Sequence, residues 1–390
     1  MRKISASLLV LIAILTVFGS AVSALARPAD TVDPFQTNLA YTHLVIKNLH
    51  AIANSGSGGF TPAQLRKAYG VDALVNTKGK GITVAIIDAC GNPHAQADLD
   101  HYDSTYGLPA TTIKVVTHGG TPCTPLDVWS VETDLDIQMV HAIAPKASIV
   151  LEVARGATLF NLDNAAKDAY TNQGATVVSM SFGGLEFPGE TGDEGDGIFS
   201  VGNARGVSFT ASSGDSGCRT QYPAASPFVT AVGGTTLKTE PGGTYVSESA
   251  APGSGGGLSK YESRPSYQDG FNSNAQRGIP DVAMIASPGV SMFDSDFGGF
   301  LVAAGTSVSA PLWAGVLALA DGKRTHTIMN ADIALYAIAG NPARYASDYH
   351  DITTGRAKSS CKAGAGYDLA TGLGTPVANS LVPDLIAAQY

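Results

Sequence analysis

The segment Gly305-Thr306-Ser307-Val308-Ser309-Ala310-Pro311 leads directly into the apolar run Leu312–Ala320. A helix there sets Ser307 at its N-terminus, where unpaired N–H groups and the helix dipole favour negative charge. Gly305 permits the tight turn before it. A serine at a helix start is ordinarily a cap. It becomes a nucleophile only when a base stands close enough to take its proton. The sequence offers two kinds of base. One is His118 in His118-Gly119-Gly120-Thr121, which with Asp88 and Ser307 would make a Ser-His-Asp set. Pro122 and Cys123 follow it, however, and no apolar helix continues from them. His141 falls in a helical pattern but lacks the neighbouring glycine that would let a nucleophile segment approach.

The other base is a carboxylate. Glu132 and Asp136 are spaced i, i+4 in the helical pattern 131–143, after the candidate cap Ser130, and therefore share a face. That line continues through Val140 and Ile143, beside the apolar line Val131, Leu135, Met139 and Ala142. The pair is expected at the edge of the buried face, with Asp134, Gln138 and His141 pointing elsewhere. Two half-buried carboxylates at this spacing resist joint ionisation and share a proton. Another carboxylate, Asp215, sits in Ser213-Gly214-Asp215-Ser216-Gly217, just after the apolar run Val207–Ala211.

This constellation resembles the sedolisins, the serine-carboxyl peptidases, and its nucleophile segment is one they share with subtilisins. The resemblance runs from about Phe60 to the C-terminus. It also includes Tyr222-Pro223-Ala224-Ala225-Ser226-Pro227 and Val232-Gly233-Gly234-Thr235-Thr236-Leu237. It implies Ser307 as nucleophile, Glu132 as general base, and Asp136 as the carboxyl group that orients Glu132 and shares its proton. It further implies that Asp215 acts protonated, donating a hydrogen bond to the oxyanion. Ser181, Phe182 and Gly183 would pair with substrate backbone. One calcium ion would be held by the side chains of Asp351 and Asp368 and the carbonyls of Ile352, Gly364 and Gly366, with water completing the oxygen shell. The implied activity is hydrolysis of protein or peptide substrates at acidic pH through an acyl-enzyme. Two rivals stand beside it: a subtilisin-type Asp88/His118/Ser307 peptidase working near neutrality, and a calcium-stabilised binding protein of the same fold without catalysis.

Elements of the right kind exist to position these residues. Ile82–Ile87 is a short apolar run ending at Asp88, and Ala147–Val153, Val177–Ser181, Val207–Ala211 and Phe228–Val232 are others. Helical patterns at 131–143, 157–171 and 194–204 lie between several of them. Near-continuous apolar strands alternating with helices predict an α/β fold: a doubly wound, mostly parallel, subtilisin-like sheet with helices on both faces, followed by the C-terminal calcium-binding region. Ligands bind such sheets at the carboxyl ends of the strands. Several of the polar residues above follow a strand directly.

Upstream, Arg2-Lys3, the apolar stretch Leu8–Phe18 and Ala24-Leu25-Ala26 read as a signal peptide over 1–26, and so as a secreted protein. Residues 27–59 form a short extension, helical over Leu39–Ile52 and ending in the linker Asn54-Ser55-Gly56-Ser57-Gly58-Gly59. Sedolisins commonly carry a large folded prodomain, and an extension this short does not provide one. The peptidase domain is assigned to 60–390. With 33 acidic against 24 basic residues, the chain has no electrostatic footprint for nucleic acid. No later stretch is apolar enough to span a membrane, and a monomer is expected. Cys90, Cys123, Cys218 and Cys361 suit an exported, disulfide-bonded protein; three pairings are open, and no C-x-x-C suggests zinc.

Overall fold

The computed structural model describes residues 34–48, 58–120, 127–321 and 330–388. The expected signal peptide, most of the linker 54–59 and Cys123 lie outside these.

The central sheet is built from β1 (Thr83–Ala89), β2 (Lys114–Thr117), β3 (Ser148–Ala154), β4 (Val177–Met180), β5 (Ser208–Ser212), β6 (Thr230–Thr239), β7 (Tyr245–Ala250) and β8 (Val282–Ser287). Its order is β7-β6-β5-β4-β1-β3-β2, with β8 also paired to β6. Every pairing is parallel except β7 with β6. The expected doubly wound sheet is therefore present, and β6 runs further than the apolar run Phe228–Val232 indicated.

Four helices bear on the site: α1 (Val128–Ile143), α2 (Leu159–Asn172), α3 (Asp196–Ala204) and α4 (Thr306–Asp321). Alternation along β1 divides them between the two faces of the sheet. Val84 and Ile86 join one core with Leu135 and Val140 of α1 and Val308 and Leu312 of α4. Ala85 and Ile87 join the other with Leu162 and Ala166 of α2 and Phe199 of α3. Burying both faces is what makes these strands read as continuous apolar runs.

Two expectations about α1 need correction. Its cap is Asp127, whose side chain accepts from the Trp129 N–H, and not Ser130. It also has no solvated side: every residue from Trp129 to Ile143 is buried, Asp134, Gln138 and His141 included. The reason is that residues 92–109 and 293–294 cover the side left open in the helical-wheel argument: Asn92 donates to Asp134, Gln138 bonds to the Phe293 main chain, and His141 meets the Pro109 carbonyl. On the Glu132 and Ile143 side, α4 approaches closely, because a β-carbon on Gly315 of α4 would fall 2.7 Å from the Ile143 Cβ. Gly315→Ala is therefore expected to destabilise the fold by about 1–3 kcal/mol through overpacking. It should also lower activity, since α1 and α4 carry the acidic pair and Ser307. Chemical denaturation read beside a kinetic assay checks both.

A third correction concerns the extension. The expected helix over Leu39–Ile52 is absent from its described part, which has a short helix at Pro34–Thr37 and strands at Tyr41–Thr42 and Val45–Asn48. Tyr41–Thr42 pairs antiparallel with Phe182–Gly183, and Val45–Asn48 pairs with Gly299–Ala304. Thr42, Val45 and Ile46 are β-branched, and available partner edges outweigh the weak helical spacing.

Candidate active site

The chemistry-bearing residues gather at the carboxyl ends of the parallel strands, the usual crevice of such sheets. Asp88 closes β1, Ser181 follows β4, Ser213-Gly214-Asp215 follows β5, and Ser307 lies in the first turn of α4. Ser307 is fully buried. Its hydroxyl donates to the Ser181 carbonyl at 3.2 Å, and its Oγ accepts from the His43 N–H at 3.0 Å.

Glu132 and Asp136 come off α1 beneath it. Both Glu132 carboxylate oxygens are buried without a close hydrogen-bond partner. They face the Ser307 hydroxyl, with Asp136, Asp88 and Asp215 as charged neighbours. Asp136 Oδ1 accepts from Ser181 Oγ at 2.7 Å, and its Oδ2 is unpartnered. Burial pushes the Glu132 carboxyl well above its ordinary range, and the Asp136 and Asp88 charges push it further. Asp136 is also raised by burial, against the opposing Ser181 bond. Asp88 is raised by burial and then by Asp136. These three carboxylates thus form one buried, proton-sharing group. Its third member, Asp88, had a legible position at a strand end but no legible role.

Asp215 stands on the other side of the nucleophile. Its Oδ1 accepts from the Thr306 N–H and hydroxyl, both at 3.0 Å, while the buried Oδ2 has no partner. Burial raises this carboxyl to about 6 even though the Thr306 bonds pull it down. A proton on Oδ2 would leave the Thr306 bonds intact. Gly305 has φ +102°, and a β-carbon there would lie 2.4 Å from Asp215 Oδ2 and 2.1 Å from the His43 carbonyl oxygen. Only glycine lets these groups meet.

Those distances place the chain's own segment 38–48 across the site. Tyr41 and Thr42 lie antiparallel against Gly183 and Phe182. Beyond them, Asn38 and Ala40 bond to Leu159 and Ala157, and Val45 and Ile46 pair with Ala304 and Ala303 on the other side of Ser307. The His43 carbonyl accepts from the Ser307 N–H at 3.4 Å. Its imidazole is buried and meets Ser212 Oγ through Nδ1 at 2.7 Å. His43 thus reaches Ser307 through its main chain, while the ring is turned to Ser212. No sequence signal marked this placement.

His118 is placed differently. Its Nε2 contacts Glu152 Oε2 at 2.6 Å, in a group with Asp168, and no hydrogen bond joins it to Asp88 or Ser307 among the described residues. His141 Nε2 is bonded to the Pro109 carbonyl at 2.8 Å. Cys218 is bonded to Cys361, which selects one of the three pairings in part, and Cys90 is disulfide-bonded too. In the C-terminal region, both oxygens of Asp351 accept from the Gly366 N–H, at 3.1 and 3.0 Å. Asp368 accepts from the N–H groups of Gly364 at 2.8 Å, Ala370 at 2.8 Å and Thr371 at 2.9 Å.

Comparison with known proteins agrees with this fold. A model of the subtilase family matches residues 79–334. Sedolisin of Pseudomonas sp. (strain 101) is 27% identical over 83% of this chain and 61% of its own length. Kumamolisin of Bacillus sp. (strain MN-32) is 30% identical over 84% of this chain and 64% of its own. The chain therefore spans a little over three fifths of the length of these two relatives. Tripeptidyl-peptidase 1 of Dictyostelium discoideum is 27% identical over 85% of this chain and 59% of its own. The solved structure of Pseudomonas sedolisin, a serine-carboxyl proteinase complexed with two molecules of pseudo-iodotyrostatin, superposes with a TM-score of 0.77 at 25% identity. It covers 86% of this chain and 100% of that one.

Proposed function

The chain belongs to the subtilase family and has sedolisin and kumamolisin among its homologues; from that premise we propose that it is a serine-carboxyl endopeptidase acting on proteins and peptides at acidic pH. One observation carries the reading: Glu132 and the unpartnered oxygen of Asp215 converge on Ser307 from two sides, with no imidazole among the described residues in the base position.

The mechanism follows from these groups. A substrate lies extended against Phe182–Gly183, with Ser181 tying Asp136 to the same strand end. The Ser307 oxygen attacks the scissile carbonyl while its proton passes to Glu132. The oxyanion receives the Ser307 N–H and the proton of Asp215, preorganised by Thr306. Glu132 then protonates the leaving amine, and the acyl-enzyme remains on Ser307. Water deacylates it by the same route in reverse. Asp136 and Asp88 keep a shared proton and negative charge next to Glu132, so its basicity survives at low pH.

Some relatives are tripeptidyl-peptidases, which bear on the choice between end-directed and internal cleavage. Segment 38–48 continues past Ser307 in both directions, so the crevice admits chain on either side of the scissile bond. This favours an endopeptidase. An active-site-directed acylating probe should label the wild-type protein on Ser307 and leave Ser307→Ala unlabelled. A wild-type chain that hydrolyses nothing and takes up no probe contradicts the reading and favours the binding protein.

The signal-like segment 1–26 supports secretion, and among the described residues no helix is long and apolar enough to cross a membrane. We read the enzyme as a secreted monomer. The region 351–368 fits one calcium ion by its donor chemistry: Asp351 and Asp368 grip the single loop 364–366, and the offered ligands, with the carbonyls of Ile352, Gly364 and Gly366, are all oxygen. When bound, such an ion would tie 351–352 to that loop by charge. Calcium at about 100 times its dissociation constant adds about 2.7 kcal/mol to stability. Chelation should therefore lower Tm, and Asp351→Asn should remove that sensitivity while leaving the Asp368 bonds to Ala370 and Thr371 intact. A melting curve indifferent to both chelator and added calcium contradicts the site.

A further inference from the structure

His118 is no base for Ser307, and the contacts that hold it elsewhere give it another use. Its main-chain N–H donates to the Val153 carbonyl at 3.0 Å, which fixes the residue after β2 against the end of β3. Val116 of β2 pairs with Glu152 of β3, and Ile87 of β1 pairs with Glu152 from the other side. Strand side chains alternate, so His118, Glu152 and Ile87 project to one face of the sheet. That is the face α2 covers, and α2 brings Asp168 to the same place. One imidazole and two carboxylates result, with a ligand atom of each lying within 4.8 Å of the other two.

Two observations mark this group as a place for a cation. Glu152 is fully buried, and while its Oε2 meets His118 Nε2 at 2.6 Å, its Oε1 has no hydrogen-bond partner. A bare, buried carboxylate oxygen is costly, and a cation reaching it offsets that cost. Negative charge is also in excess. With a neutral imidazole, Glu152 and Asp168 carry two charges, offset in part by Lys114, whose exposed Nζ donates to Gln173 Oε1 at 2.7 Å. Asp168 accepts from Asn172 Nδ2 at 2.5 Å and from Gln173 Nε2 at 2.7 Å, one bond on each oxygen, so each keeps a lone pair for an ion.

We propose that His118 Nε2, Glu152 and Asp168 bind one zinc ion, with water in the fourth position. Imidazole nitrogen beside carboxylate oxygen suits zinc, whereas calcium and magnesium favour oxygen alone. The ion takes the place of the proton in the His118–Glu152 contact, and the neutral ring then carries its hydrogen on Nδ1. Zinc bonds of about 2.0–2.2 Å set ligand atoms about 3.5 Å apart. Rotations of His118 and Asp168, both half-buried, provide that spacing. The ion fastens three elements together, and one of them, β2, is the last strand of the sheet. Its effect is therefore on the stability of that edge, apart from Ser307 and from the calcium region at 351–368, and it stands whether or not the peptidase reading does.

The test is titration of the full chain with zinc at about pH 7, where imidazole ligates as the neutral ring, in the presence of excess calcium. Calorimetry should show one equivalent bound by the wild type, and saturating zinc should raise Tm by a few degrees. Magnesium should not displace it. X-ray absorption at the zinc edge should show a nitrogen and oxygen shell at about 2.0–2.2 Å, without sulfur and with the outer-shell pattern of one imidazole. Glu152→Gln and Asp168→Asn should each weaken binding by about tenfold or more, whereas Asp351→Asn should bind zinc as the wild type does. Circular dichroism shows which variants fold. Should Glu152→Gln not fold, the half-buried Asp168→Asn and the wild-type absorption spectrum still decide. A wild-type chain that binds no zinc, a shell with sulfur or without imidazole, or binding that Asp168→Asn leaves unchanged overturns the site.

Discussion

Replacing Ser307 by Ala should lower kcat/KM for peptide hydrolysis by about 10⁴-fold or more, the scale on which a covalent nucleophile acts. Glu132→Gln should come close to it. The glutamine keeps the shape of the side chain but cannot take the Ser307 proton, and Glu132, with both oxygens buried, is the carboxylate that faces the Ser307 hydroxyl. Members of one catalytic unit are grossly non-additive, so the double mutant should match the weaker single mutant instead of multiplying the losses. His118→Ala should change activity little, because its ring is committed to Glu152. Circular dichroism on each variant separates lost chemistry from lost fold. If His118→Ala were inactive and Glu132→Gln active, the Ser-His-Asp reading would replace this one.

The second large effect concerns Asp215. Removing its carboxyl by Asp215→Ala deletes one oxyanion donor and should cost about 10²–10³ in kcat. Asp215→Asn is more informative. The amide oxygen can keep the two Thr306 bonds made by Oδ1, and the amide N–H₂ can donate from the place of the unpartnered Oδ2. Its donor carries no proton to lose, whereas the native carboxyl loses its own as pH rises through about 6. The wild type should therefore lose activity above that value while Asp215→Asn holds its lower activity towards neutrality. The two pH profiles should converge at the alkaline end. Equal falls in both would mean that another group sets the alkaline limb.

Much of the architecture could be read directly. The strands now labelled β1, β3, β4 and β5 are buried on both faces, so each shows as a near-continuous apolar run, and a polar residue directly after such a run marks the crevice. Ser307, Glu132, Asp136 and Asp215 could be named from local spacing and their surrounding motifs. Less could be read where the deciding contact is distant in sequence. The pattern 131–143 gave the helix but not its complete burial, because the contacts of Asp134, Gln138 and His141 with Asn92, Phe293 and Pro109 are tertiary facts. Asp88 stands in the sequence where a histidine triad would place its carboxylate, and only the fold brings Asp136 beside it. Leu39–Ile52 has a spacing compatible with a helix, and only the edges at Phe182–Gly183 and Gly299–Ala304 make strands of its described part. A segment's fitness to lie in a cleft has no periodicity of its own.

The central claim is that a carboxyl system and no imidazole activates Ser307, and the pH dependence of kcat/KM tests it most directly. It is best measured on one peptide substrate from about pH 3 to pH 8, with stability at each pH recorded separately. The base is a proton-sharing carboxylate group, and the oxyanion donor needs its proton, which Asp215 loses near 6. The account therefore expects activity greatest in the acidic range, falling about tenfold per pH unit well above 6. A profile that instead climbs from pH 5 to 8, following an imidazole through its pKa near 6.5, would contradict it.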